Sequence, residues 1–325
     1  MSTAPLRLLA AVLCAACANT LAFDLEGHRG ARGLAPENTL PAFERALAVG
    51  VDTLELDIGI TADGVVVVSH DSFLNPVITR DPQGQWLDTR GPLIHSLTLA
   101  QLQSYDVGRI RPGTSYAAAL SRQAPHDGAR VPTLAAVFDL VKARGTRVRF
   151  NIETKIDPTR PDDTVGAETM TAALLQVVRD AGMAGRVSIQ SFDWRTLRIA
   201  QRLAPAIPTV CLTVQSANTD NVRDSRWTAG LQLADHGSVP RLVQAAGCKA
   251  WSPNQGAVRP ELVKEAQGLG LLVVPWTVNA PAEMERLLDA GVDGLITDVP
   301  DRLREVMLRR GMAVPPPVPG ARGRD

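Results

Sequence analysis

From Phe23 to about residue 310 the chain alternates two kinds of stretch: short apolar runs rich in β-branched residues, and longer stretches whose apolar residues recur at helical spacing. This alternation restricts the fold more than any other feature, because parallel strands need crossover connections and helices usually supply them. Eight strand–helix units can be counted, with one interruption, which is the pattern of a (β/α)8 barrel. The first strand runs into Gly27-His28-Arg29-Gly30, and a helix at 37–49 follows, stopped by Gly50. Residues 51–60 read as a strand, and Asp63-Gly64 turns the chain into a compact strand at 65–68 that ends in Ser69-His70-Asp71. The rhythm resumes with a helix at 132–142. Strands are then expected at 146–152, 186–190, 208–213, 248–251, 271–276 and 294–297.

Residues 72–131 break the pattern. Pro, Gly, Asp and Arg are frequent, and about sixty residues is too long for an ordinary connection. The segment reads as an insertion, a small subdomain over the face where His70 ends its strand. His95 and His126 are expected to be surface histidines within it. At the other end, the Pro-, Gly- and Arg-rich stretch 312–325 reads as a disordered tail, so the barrel is expected to occupy 23–311.

Residues 1–22 have the form of a secretory signal peptide: Arg7, an uncharged apolar run from Leu8 to Ala18, and small-residue cleavage sites ending at Ala18 and Ala22. The mature chain is therefore expected to be periplasmic or secreted. Cys211 and Cys248 then remain. An oxidising compartment would let them pair, but each sits in an apolar, strand-like context, and buried free thiols are the expectation. The 34 basic residues are matched by 34 acidic ones, which argues against a nucleic-acid or membrane-surface protein driven by bulk charge. No internal run is long and apolar enough to span a bilayer.

In a (β/α)8 barrel the chemistry lies where the strands end. Polar residues gather at those ends: His28 and Arg29, Glu55 and Asp57, His70, Glu153 and Lys155, Gln190, Trp276 and Asn279, Thr297 and Asp298. Glu55 and Asp57 are two apart, so both carboxylates point to one face of their strand. With Glu153 they make three carboxylates without Cys or His beside them, a donor set for a hard divalent cation, Ca²⁺ or Mg²⁺. Arg29 and Lys155 supply positive charge for an anion, and His28 and His70 offer an acid and a base. Displacement at a phosphate diester needs all of these.

The ordered string His28-Arg29-Gly30, Pro36-Glu37-Asn38-Thr39, Glu55-Leu56-Asp57, His70-Asp71, Glu153-Thr154-Lys155, Trp276-Thr277-Val278-Asn279 and Gly294 to Pro300 resembles the glycerophosphodiester phosphodiesterases. The resemblance implies the barrel with an insertion after the second histidine, and hydrolysis of small-molecule glycerophosphodiesters to glycerol 3-phosphate and an alcohol. It implies Glu55, Asp57 and Glu153 as ligands of one Ca²⁺ or Mg²⁺ and His28 and His70 as the acid–base pair. Arg29 and Lys155 would contact phosphate, Asn38 would shape the site, and Trp276 would line the glycerol side. Two other readings compete: a lysophospholipase D or sphingomyelinase D type of enzyme on the same barrel, and a glycerophospho-group binding protein without turnover.

Overall fold

The structure, a computed structural model, describes residues 23–216 and 219–319; the expected signal peptide lies outside the described residues. Strand β1 (Asp24–Gly27) leads through the His28 loop to helix α1 (Leu40–Val49), and β2 (Thr53–Ile60) follows. Thr39 caps α1 by accepting from the Ala42 N–H, and Gly50 ends it at φ +89°. After β3 (Val66–Val68), the inserted segment carries the short helices α2 (Leu99–Leu102) and α3 (Ser115–Ala119). The alternation then runs α4 (Leu134–Ala143), β4 (Arg149–Thr154), α5 (Ala167–Asp180), β5 (Val187–Ser191), α6 (Trp194–Leu203) and β6 (Thr209–Thr213). It ends with α7 (Leu233–His236), α8 (Val239–Ala245), β7 (Ala250–Pro253), α9 (Pro260–Gly268), β8 (Leu272–Val273), α10 (Pro281–Asp289), β9 (Gly294–Thr297) and α11 (Pro300–Arg309).

Eight parallel strands pair in the order β8-β7-β6-β5-β4-β2-β1-β9. Backbone bonds from Asp293 N to Val273 O (2.9 Å) and from Ile296 N to Pro275 O (3.0 Å) bring the two ends together, so the barrel is nearly closed. The strand expected at 65–68 is not a barrel strand. It pairs antiparallel with β2, Ile58 opposite Val68, as the return arm of a hairpin. His70 therefore reaches the mouth of the barrel from outside the ring, held by a bond from Ser69 N to Asp57 O at 3.0 Å.

Alternation along the strands divides the side chains. Leu54, Leu56, Ile58, Phe150, Ile152 and Ile189 face the helices, where they are buried with Phe43, Phe138 and Trp194. Burying each large apolar side chain contributes about 1.5–3 kcal/mol. The opposite faces of β1, β2, β4 and β5 carry Glu26, Glu55, Asp57, Asn151, Glu153 and Gln190, all buried, and hydrogen bonds join Glu26, Asn151, Gln190 and Glu55. One half of the barrel interior is thus polar, unlike the branched apolar layers usual in this architecture.

The inserted segment packs a small core of Leu74, Ile94, Leu102, Val107 and Val131 against Val67 of β3. Two expectations need correction. The part of the expected 312–325 tail that the structure describes, 312–319, stays on the fold: Met312, Val314 and Val318 pack on the main core, and Val318 N donates to Leu47 O at 2.8 Å, while 320–325 lie outside the described residues. Cys211 and Cys248 are not free thiols but a disulfide. Cys211 lies on β6 and Cys248 just before β7, and the pairing of these adjacent strands brings the two Cα atoms to 5.9 Å, within bridging range.

Candidate active site

Two buried turns build the mouth of the barrel. Arg29 and Asn38 have φ of +50° and +55°, a region that side-chain-bearing residues seldom enter. The strain is held by the surroundings: Arg29 N donates to Glu55 Oε2 (2.8 Å), Gly30 N to Glu55 O (3.1 Å), and Asn38 N to Arg29 O (3.1 Å). Gly30 must be glycine, because a Cβ there would lie 2.7 Å from the backbone of Ala42.

Around this turn the structure gathers the residues singled out in the sequence. His28, Arg29, Glu55, His70, Glu153, Lys155 and Trp276 line one pocket of about 160 Å³. Asp57 sits beside it, and Asn38 donates to Asp57 Oδ2 at 2.9 Å. Register explains the carboxylates: Asp57 on β2 is directly opposite Glu153 on β4. Ligand oxygens of Glu55, Asp57 and Glu153 lie within 4.8 Å of one another, all buried.

The electrostatics of this cluster are divided. Burial, then Asp57 and Glu153, push the Glu55 carboxyl well above its ordinary value. Burial pushes Glu153 up to about 7 against the pull of Lys155. Burial also opposes ionisation of Asp57, but His70, Arg29 and Lys155 outweigh it and hold that carboxyl below its ordinary range. Lys155 Nζ bonds Glu153 Oε1 at 2.8 Å and lies 3.8 Å from Asp57 Oδ1. Asp57 Oδ1 is nevertheless buried without a hydrogen-bond partner among the described residues. Three carboxylates that repel one another and an orphaned acceptor oxygen suit a hard divalent cation, which would relieve both.

Each histidine is oriented by an aspartate. His28 Nδ1 lies 2.6 Å from Asp298 Oδ1, and its Nε2 is 3.9 Å from Glu55 Oε2. Burial, reinforced by Arg32 and opposed by Asp298, pushes His28 down to about 4. His70 Nδ1 lies 2.9 Å from Asp71 Oδ1, and burial followed by Arg29 and Lys155 lowers it too. With Nδ1 donating to a carboxylate, Nε2 of each ring is the atom left for proton transfer.

Several participants were not assigned a role from the sequence. Asp298 and Asn279 stand among the polar strand ends and in the motifs Gly294 to Pro300 and Trp276 to Asn279, without a role of their own; Asn279 Nδ2 donates to Asp298 Oδ2 at 2.6 Å. Glu37 lay in a quoted motif, and it accepts from Arg29 at 2.6 Å. Arg32, one turn after His28, forks onto Asp298 at 2.5 and 3.2 Å. Tyr116, on α3 of the insertion, donates its hydroxyl to Glu37 and accepts from Arg32 at 3.0 Å. Nothing in the local sequence around Tyr116 signals this. Beside the pocket, a groove of about 710 Å³ shares His70, Glu153, Lys155, Phe192 and Trp276 with it and extends past Asp157, Arg160 and Trp227. Phe192 meets Trp276 edge-on at 5.3 Å.

Fold and site together define a (β/α)8-barrel hydrolase whose mouth is equipped for phosphate esters. A model of the glycerophosphoryl diester phosphodiesterase family matches residues 28–302, and the chain belongs to that family. It is 33% identical over 282 residues to the glycerophosphodiester phosphodiesterase of Bacillus subtilis (86% of this chain, 84% of the relative). It is 29% identical over 284 residues to that of Caldanaerobacter subterraneus subsp. tengcongensis (87% and 97%). The crystal structure of a candidate glycerophosphoryl diester phosphodiesterase from Silicibacter pomeroyi superposes with a TM-score of 0.81 at 38% identity, covering 90% of this chain and 95% of that one. An Oleispira antarctica phosphodiesterase, solved with sn-glycerol 3-phosphate, shares the fold at 21% identity with a TM-score of 0.63, covering 87% and 95%.

Proposed function

We propose that the chain hydrolyses glycerophosphodiesters to glycerol 3-phosphate and an alcohol, using one divalent cation, Ca²⁺ or Mg²⁺, and the pair His28 and His70. The observation that carries this reading is the shared pocket: two histidines, each tied at Nδ1 to an aspartate, and the Glu55, Asp57, Glu153 cluster at one barrel mouth. The cation held by these carboxylates would offset charge on the phosphate oxygens. Arg29 and Lys155 bind and orient the phosphate. One imidazole accepts at Nε2 the proton of the attacking oxygen, from water or from the glycerol 2-hydroxyl, as that oxygen bonds to phosphorus. As the phosphorus–oxygen ester bond breaks, the other imidazole gives its proton to the leaving alcohol; on the 2-hydroxyl route water then opens the cyclic phosphate with the two proton transfers reversed, so atoms and protons balance. Phe192 and Trp276 form an apolar wall against which the glycerol carbons pack.

A lysophospholipase D reading would need an apolar channel for an acyl chain. The adjoining groove sets Asp157, Arg160, Asp163 and Asp220 among Phe73, Ile156, Phe192, Val214, Trp227 and Trp276, and turnover of glycerophosphocholine against lysophosphatidylcholine decides between the two readings. The same reading puts the mature chain in the periplasm or outside the cell. Its supports are the apolar run from Leu8 to Ala18 and the Cys211–Cys248 bridge, which belongs to an oxidising compartment. Export from a bacterial host should remove the leader, and retention would count against it.

Catalysis is tested by His28→Ala and His70→Ala, each expected to lower turnover of glycerophosphocholine about a hundredfold or more. Glu55→Gln should abolish metal-supported turnover while the protein stays folded. Near-parental rates in all three variants would refute the assignment.

A further inference from the structure

We propose that Asn151 and Gln190 form a two-amide relay that fixes the carboxylate of Glu55 in its ligating orientation. Both would be positioning residues for the cation. The inference rests on reading Glu55, Asp57 and Glu153 as the ligands.

The relay crosses three neighbouring strands. Asn151 Nδ2 donates to Glu26 Oε2 and to Gln190 Oε1, both at 3.0 Å. Asn151 Oδ1 accepts from Ser188 Oγ at 3.0 Å. Both amide hydrogens and the amide oxygen of Asn151 are therefore in use. Turning the amide over would set its oxygen against Glu26 Oε2 and Gln190 Oε1 and its NH2 against a hydroxyl whose proton it had been accepting. With Glu55 ionised, as a metal ligand must be, the orientation shown satisfies every atom, whereas the reverse turns Gln190 Oε1 onto a Glu55 oxygen.

That orientation dictates the next one. Gln190 Oε1 is occupied by Asn151, so Gln190 Nε2 faces Glu55 and donates to Oε1 at 2.8 Å. Glu55 Oε2 takes its own donor, the Arg29 N–H, at 2.8 Å. Each oxygen of Glu55 thus accepts one fixed donor and keeps a lone pair for the ion. Glu26, Glu55, Asn151 and Gln190 are 1–4% exposed, and each partner in this relay is a protein group. The need for such a clamp is plain from the neighbours: Asp57 and Glu153 repel the Glu55 carboxylate, and among the described residues Gln190 and the Arg29 N–H are the donors that hold it in place. Residues that orient a ligand in this way commonly contribute 10–100-fold to metal affinity.

Two nearly isosteric substitutions reverse the polarity. Asn151→Asp replaces the donating NH2 by oxygen. Gln190 then turns to donate to the new carboxylate and presents its own oxygen to Glu55. Gln190→Glu sets a carboxyl directly against Glu55. Gln190→Met removes the donor without adding charge and serves if either of the others fails to fold.

The test is calorimetric titration of the EDTA-stripped, full-length exported protein with Ca²⁺ alone and with Mg²⁺ alone, alongside melting curves. Asn151→Asp and Gln190→Glu should weaken binding of the preferred ion roughly 10–100-fold, and Gln190→Met about tenfold, with turnover recovering as the ion is raised. A packing role would instead lower the melting temperature and leave affinity alone. Folded variants that bind the ion within twofold of the parent overturn the relay. A parent protein that binds neither ion overturns the metal reading itself, and the parent titration separates the two failures.

Discussion

Asp298 accepts four hydrogen bonds with two oxygens, and Asp298→Asn breaks that arrangement without changing the side chain's volume. Its Oδ1 faces His28 Nδ1 at 2.6 Å and Arg32 Nε at 2.5 Å; its Oδ2 faces Asn279 Nδ2 at 2.6 Å and an Arg32 terminal nitrogen at 3.2 Å. An asparagine has one oxygen for four donors. If its NH2 turns to His28, the imidazole must accept at Nδ1 and carry its proton on Nε2, the wrong tautomer for a base facing the pocket. If the NH2 turns to Asn279, donor meets donor and Arg32 loses its buried counter-charge. A hydrogen bond to a charged group contributes about 1.5–3 kcal/mol, which corresponds to roughly 10–150-fold in rate. The assay is kcat and KM for glycerophosphocholine at saturating metal over a range of pH. The expected result is kcat lower by that factor with KM changed much less. A kcat within threefold of the parent at every pH would refute the claim that Asp298 sets the state of His28.

Three further outcomes follow from the same geometry. Tyr116→Phe removes the hydroxyl that joins Glu37 to Arg32, and KM should rise about tenfold or more with kcat little changed, since two bonds to charged groups are lost and they brace Arg29; an unchanged KM would detach the insertion from the site. Glu26 is pushed up to about 8 by burial and by Asp24, whereas an unfolded glutamate titrates near ~4.3. Its contribution is fully kept below that lower value and lost as pH rises through about 8, so Glu26→Gln should gain stability over the parent across this window, by a few kcal/mol at its top. Chemical denaturation at pH 5 and pH 8.5 checks this, and equal differences at the two pH values would contradict it. Cys211→Ser should cost about 4 kcal/mol, the loop-entropy value for a 37-residue separation, and adding reductant to the parent should reproduce the loss.

The barrel was legible because each of its strands is a run that alternates or is wholly apolar and each helix carries its own stop. Glycines 50, 270 and 291, for example, all adopt positive φ after helices. The order of β2 and β3 was legible too, but not their direction: Asp63-Gly64 marks a turn, and only the pairing of Val66–Val68 with Ile58–Ile60 shows that the second arm leaves the ring. The ligand and histidine candidates could be read because they stand at strand ends, where the register of β2 against β4 makes Asp57 and Glu153 neighbours. What supports them could not. Asp298 meets His28 across 270 residues and Tyr116 meets Glu37 across 79, and such contacts depend on barrel closure and on the path of the insertion. Glu26 and Asn151 look like surface residues in a list of strand positions until the polar interior is seen. The cysteines were misjudged for a related reason: apolar surroundings are the same for a buried thiol and a buried bridge, and only the adjacency of β6 and β7 distinguishes them.

The most direct test is release of glycerol 3-phosphate from glycerophosphocholine by the purified mature chain, first with EDTA and then with Ca²⁺ or Mg²⁺ restored. The account predicts no release with EDTA, recovery with one of the two ions, and no recovery in Glu55→Gln. Release that is indifferent to EDTA, or none under any condition from a folded protein, would contradict it.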